Sequence, residues 1–184
     1  MVKDCSIGKI VLTIVLLTVV GVATLSALSA QPGPEHEKMH VWLGDWTWEE
    51  EIRDSPDDKW YQASWKGQNR LMPGGFFIEF RWKGIVKGAE ISMVEIEGYD
   101  PAKKTNVTSF FDSQGNMGGV TSASYQGNTE EVEYSSMSPT GEKIQARCTW
   151  RFSADANSAS GSCERLSDGK WWLFRRVVKA EKVK

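Results

Sequence analysis

Between Lys143 and Phe152 the chain alternates without a break. Ile144, Ala146, Cys148, Trp150 and Phe152 fall on one side, and Lys143, Gln145, Arg147, Thr149 and Arg151 on the other. A period of two with one apolar side predicts a strand, Glu142–Phe152, with a buried face and a wet face. Weaker versions of the pattern run through Trp46–Arg53, Lys59–Leu71, Phe76–Lys83, Ala89–Tyr99, Lys104–Asp112, Asn116–Tyr125, Glu130–Ser138, Ser160–Leu166 and Lys170–Lys179. Turn signals punctuate them at Asp100-Pro101, Gln114-Gly115, Gly127-Asn128, Pro139-Thr140-Gly141, Asp155-Ala156-Asn157 and Asp168-Gly169. Strands joined by such short turns pair antiparallel, because a parallel crossover needs a dozen or more residues. The expectation is an all-β, up-and-down antiparallel barrel of about ten strands, closed so that no edge is left unpaired.

Two segments stand outside that rhythm. Gly33-Pro34 opens a short helix through about Leu43, whose Met39, Trp42 and Leu43 form an apolar stripe suited to capping one barrel end. Before it, Lys3 and Lys9 precede an apolar run, Ile10 to Ala23, followed by Ser26, Ala27, Ser29 and Ala30. This is the layout of a secretory signal, so residues 1–30 are expected to be a signal peptide and 31–184 the barrel domain. The alternative is a retained anchor. The expected location is periplasmic or secreted. An outer-membrane barrel is excluded by the outward Lys143, Arg147 and Arg151, which do not sit in hydrocarbon.

Removing residues 1–30 takes away two lysines and one aspartate, moving the net charge from −2 to −3. An acidic balance argues against a nucleic-acid partner. The 20 aromatic residues all follow position 41, which implies an aromatic core or an aromatic-lined cavity.

Register can be extended from the turns. Centring one near Asp155-Ala156 sets Cys148 opposite Cys163, pointing inward, and Arg147 opposite Glu164, pointing outward. Export makes a Cys148–Cys163 disulfide the expectation, with two buried thiols as the alternative. Centring the next turn on Asp168-Gly169 sets Arg165 opposite Trp172, Cys163 opposite Phe174 and Gly161 opposite Arg176. Arg165 and Arg176 then point inward, where a charge needs a partner or a task.

Gly44-Asp45-Trp46 on the first strand and Arg175-Arg176 on the last resemble the signature of the lipocalin and fatty-acid-binding (calycin) superfamily. That resemblance implies that Trp46 stacks beneath a final-strand arginine and closes the barrel base, with Gly44 as the fixed glycine of the motif; the register above selects Arg176. More widely, Pro32-Gly33-Pro34-Glu35-His36, Gly74-Gly75, Gly98-Tyr99-Asp100, Lys103-Lys104 and Asp112-Ser113-x-Gly115 are similar to a bacterial exported family of unknown function with a lipocalin-like domain. It implies the same barrel and brings no activity or ligand.

Chemical motifs are few. His36-Glu37-Lys38-Met39-His40 has the H-E-x-x-H spacing of a zinc protease. These are the chain's only histidines, and they lie outside the barrel, so no metal site is expected. No strand carries a histidine to ligate haem or to serve a serine nucleophile, so no cofactor and no catalytic residue is assigned. Asn106-Val107-Thr108 matches a glycosylation acceptor inside a strand and is read as accidental. Glu50 shares a face with Trp46, Trp48 and Ile52 and is expected inward, paired with an inward arginine.

The functional expectation is non-catalytic binding of a small apolar or amphipathic ligand, of a fatty-acid-like anionic kind, in the barrel. Trp48, Phe80, Trp150 and Phe174, with Phe76 and Ile78, would receive the apolar part, and Arg165 and Glu50 the polar part. The alternatives are an envelope interaction module with a filled barrel, and an enzyme using Glu50 and Arg165.

Overall fold

The structure is a computed structural model, and it describes residues 31–183. The segment expected to be a signal peptide lies outside the described residues. Ten antiparallel strands run in chain order: β1 (Gly44–Ile52), β2 (Tyr61–Leu71), β3 (Phe77–Val86), β4 (Ala89–Asp100), β5 (Thr105–Asp112), β6 (Met117–Gln126), β7 (Thr129–Met137), β8 (Lys143–Phe152), β9 (Ala159–Ser167) and β10 (Lys170–Lys182). Each pairs with its sequence neighbour, and β1 pairs with β10, so the sheet closes into a barrel. The all-β barrel expected from the turn rhythm is the fold observed. Among the described residues, no helix is long and apolar enough to cross a membrane.

The expected helix is shorter. Proline in the first turn starts α1 (Pro34–Lys38), and a 3-10 turn, Met39–Trp42, continues it. This cap turns Met39 and Trp42 into the barrel base, where both are buried. The Trp42 ring meets those of Trp46, Trp48, Phe80, Trp150 and Phe152. Its carbonyl accepts the Trp46 indole N–H at 2.8 Å and the Asn69 amide at 2.9 Å. These two bonds satisfy an end that would otherwise be left buried and unpaired.

The interior is built from tryptophans laid over cross-strand glycines. Trp82 faces Gly67, Trp65 faces Gly84 and Trp150 faces Gly161. A Cβ at any of the three glycines would lie within 2.4 Å of the facing indole. Only glycine leaves room for an indole to lie flat on the neighbouring strand, and this fits the rings into a ten-stranded barrel.

Cys148 and Cys163 are paired across β8 and β9 with a Cα–Cα distance of 4.1 Å and form a disulfide. Arg147 and Glu164 form the outward ion pair beside it at 2.6 Å. Both follow the register read from the Asp155 turn.

The next strand departs from the expected register. β10 and β9 match at Trp172↔Arg165, as expected, and then slip between Leu173 and Arg175, so that Arg175 faces Cys163 and Arg176 faces Ser162. An extra residue in one strand reverses the facing of the residues that follow, here until a second register shift against β1, at the partners of Glu49 and Glu50, restores it. Phe174 and Arg175 therefore both line the interior. Arg176 is turned outward, half-exposed, where it pairs with Glu51 and lies 4.7 Å from the Trp60 ring. The expected stack of Arg176 on Trp46 is thus overturned by the bulge. Lys182 takes that position, its Nζ 5.3 Å from the ring of the buried Trp46.

Candidate functional site

Above the Trp42 floor lies a cavity of about 300 Å³. Trp42, Trp48, Trp65, Trp82 and Trp150 form much of its wall, with Phe80, Phe110, Phe174 and Tyr134. Cys148 of the disulfide also lines it. Of the residues expected to receive an apolar group, Trp48, Phe80, Trp150 and Phe174 reach the cavity. Ile78 is buried elsewhere in the core, and Phe76 precedes β3 and packs edge-on against His36 at 5.2 Å.

Four carboxylates line the same cavity, Glu50, Glu95, Glu97 and Glu130, against one cation, Arg175. Glu50 is fully buried and has three donors. The indole N–H groups of Trp48 and Trp65 reach it at 3.0 and 2.8 Å, and Arg175 donates through Nε. The inward arginine expected to partner Glu50 is therefore Arg175. Desolvation works against the Arg175 charge, but Glu50 and Tyr134 outweigh it and hold the guanidinium protonated. Its plane also lies 5.6 Å from the Trp150 ring.

Glu97 and Glu130 form a chain of bonds near the floor. Glu97 accepts from the Asn106 amide at 2.8 Å and the Tyr125 hydroxyl at 3.2 Å. Glu130 accepts from the Trp42 indole at 2.9 Å. Burial pushes both carboxyls above the usual carboxylate range, and the charge of Glu97 pushes Glu130 further. Protonated acids can donate as well as accept, which lets the chain be satisfied without bringing two more charges inside. Asn106, the acceptor in the glycosylation-like motif, is buried in this network.

Glu95 differs. Its strand neighbours are Phe80 on β3 and Phe110 on β5, both facing the cavity. Among the described residues, it is the one cavity carboxylate with no hydrogen-bond donor. Desolvation, with the nearby Glu97 adding to it and Arg175 opposing, raises its pKa to about 7.

Arg165, expected in the ligand site, sits near the end of β9 far from the cap. It shares the inner face with Cys163, but its side chain ends on Glu142 at 2.6 Å, and it does not line the cavity. Glu50 and Arg165 are thus not brought together, and the constellation imagined for an enzyme is absent. The histidines belong to the cap. His36 Nδ1 accepts the Gly33 backbone N–H at 3.0 Å. Among the described residues, no three His, Cys, Asp or Glu side chains gather as metal ligands.

Sequence reasoning missed Glu95, Glu97 and Glu130. A signal existed: Glu130 is in phase with Val132 and Tyr134, and Glu95 and Glu97 are in phase with Ile91 and Met93. On β4, however, Val94 and Ile96 make the outer face equally apolar, so the alternation does not say which side is inside.

Residues 31–179 match the family described as Protein of unknown function (DUF1579). The chain belongs to this family. Among solved structures it is similar to Rv2717c from M. tuberculosis, at 12% identity and a TM-score of 0.60, over 83% of this chain and 99% of that one. At that identity the likeness speaks for the fold alone. No curated protein matches the chain.

Proposed function

We propose that this DUF1579 protein is an exported, lipocalin-like barrel that binds one small amphipathic molecule in its interior. The observation that carries the reading is the cavity itself: about 300 Å³ walled by five tryptophans, with a carboxylate left without a donor. A barrel whose only task was structural would close around its own side chains, because an unfilled interior costs stability. The disulfide suits an oxidising compartment. The polar outer face of β8 suits an aqueous one.

A filled interaction module and an enzyme receive less support. The cavity argues against the first, and the separation of Arg165 from Glu50 removes the residues named for the second. The fatty-acid-like version also weakens, since Arg165 does not line the cavity and Arg175 is already neutralised by Glu50.

The reading is tested on protein purified without denaturation from its own cell envelope. Native mass spectrometry should show a bound mass of a few hundred daltons. After delipidation, Trp emission should shift saturably on titration with hexyl compounds, since five indoles face the ligand. An unliganded mass together with no saturable change would leave the interaction module as the better account.

A further inference from the structure

The geometry points to an organic cation, a protonated amine or quaternary ammonium on an apolar body, as the class of molecule the cavity takes, with its charge beside Glu95. This inference rests on the binding function proposed above and adds the chemistry of the ligand.

The polar groups of the wall are not equivalent. Glu50 is committed to two indoles and Arg175. Glu97 and Glu130 are committed to Asn106, Tyr125 and Trp42. Among the described residues, Glu95 alone of the four accepts no hydrogen bond at either oxygen and is left to whatever enters. Its flanking residues, Phe80 and Phe110, are aromatic. Opposite charge and aromatic faces are the two features that recognise an ammonium group, the second through the ring quadrupole. Trp48 and Trp82, with centroids 6.0 Å apart and edge-to-face, supply further π surface in the same wall.

The alternative head group is an anion at Arg175. That cation is matched by Glu50, and any anion beside it would also meet the field of Glu95. A neutral head group leaves the Glu95 carboxylate desolvated without compensation. A cation relieves that cost, so charge selection follows from the wall rather than from the cavity's size.

Ionisation of Glu95 gives the preference a pH dependence. The groups bearing on it are Glu97 from its own strand and Arg175 from β10. Glu50, Glu130 and Tyr134 line the same cavity from β1 and β7. With a pKa near 7, the ionised fraction of Glu95 rises about tenfold from pH 6 to pH 8. A quaternary ammonium does not titrate, so its affinity should rise by about the same factor.

The experiment compares hexyltrimethylammonium, hexylamine, hexanol and hexanoate on delipidated protein by Trp emission and calorimetry, at pH 6, 7 and 8. The expected order at pH 8 is both cations at least tenfold tighter than hexanol, and hexanoate weakest. Glu95→Gln should erase the advantage of the cations and its pH dependence, because cation binding falls while hexanol, freed from the cost of desolvating the carboxylate, binds at least as tightly as before. Glu95→Asp, which keeps the charge, should retain much of it. Hexanoate binding as tightly as the cations, or a cation preference unchanged in Glu95→Gln, overturns the inference while leaving the binding function intact. Equal binding of all four does the same. No binding by any of the four fails the binding function as well.

Discussion

Two adjacent arginines at the end of the chain illustrate how little residue type alone decides. Arg175 and Arg176 are adjacent on a strand and so face opposite sides of the sheet, and a single extra residue in β10 decides which of them is inside. Arg175 compensates a fully buried Glu50, whereas Arg176 pairs with Glu51 at the surface. Removing one partner of a buried pair leaves an uncompensated charge inside, at a cost of about 3–5 kcal/mol, while an exposed pair is worth about 0–1 kcal/mol. Arg175→Met should therefore lower the denaturation free energy several-fold more than Arg176→Met, as measured by urea unfolding. Adding Glu50→Gln to Arg175→Met should restore part of the loss. Equal effects of the two single changes would mean that Glu50 is not paired inside.

The elements differ in how well they are tied together. β6 and β7 share nine paired positions, β5 and β6 only two, Phe110↔Gly118 and Phe111↔Met117. Further along that seam the Thr105 hydroxyl stands in for the ladder, donating to Ala123 O and accepting from Ala123 N–H, both at 2.8 Å. A seam with few backbone bonds opens at lower free energy than its neighbours. Hydrogen exchange should be fastest along Asn106–Ser109 and Gly119–Ser122 and slow in β8, where the disulfide crosses to β9. Uniform protection around the barrel would contradict this. The contrast also shows what was legible. β8 and β9 could be placed in register because one face of β8 is apolar without exception and the turn at Asp155 is short. β10 could not, because no residue in Trp171-Trp172-Leu173-Phe174 announces a bulge, and a run of four apolar residues fits either facing.

At the scale of the whole molecule, the turn rhythm and the alternation were enough for the barrel, its closure and the aromatic lining. They did not reach the acidic cavity. An inward carboxylate breaks the apolar pattern that identifies the inner face, so the residues that define the site are the ones that blur its signal. The closure has a consequence in time. β1 must find β10, from Trp46 to Lys182, and Trp42 must reach Glu130 and Phe152. None of these partners is near in sequence, so the loop entropy is spent before the contacts form, and such chains fold in milliseconds to seconds rather than microseconds. Strands β2 to β9 can assemble as hairpins while the seam between the chain ends is still open. The indole of Trp42 is then among the last groups to be buried. In stopped-flow refolding, a Trp42→Phe variant should lose fluorescence amplitude mainly from the slowest phase; a loss confined to the earliest phase would show that the stopper is seated before the barrel is shut.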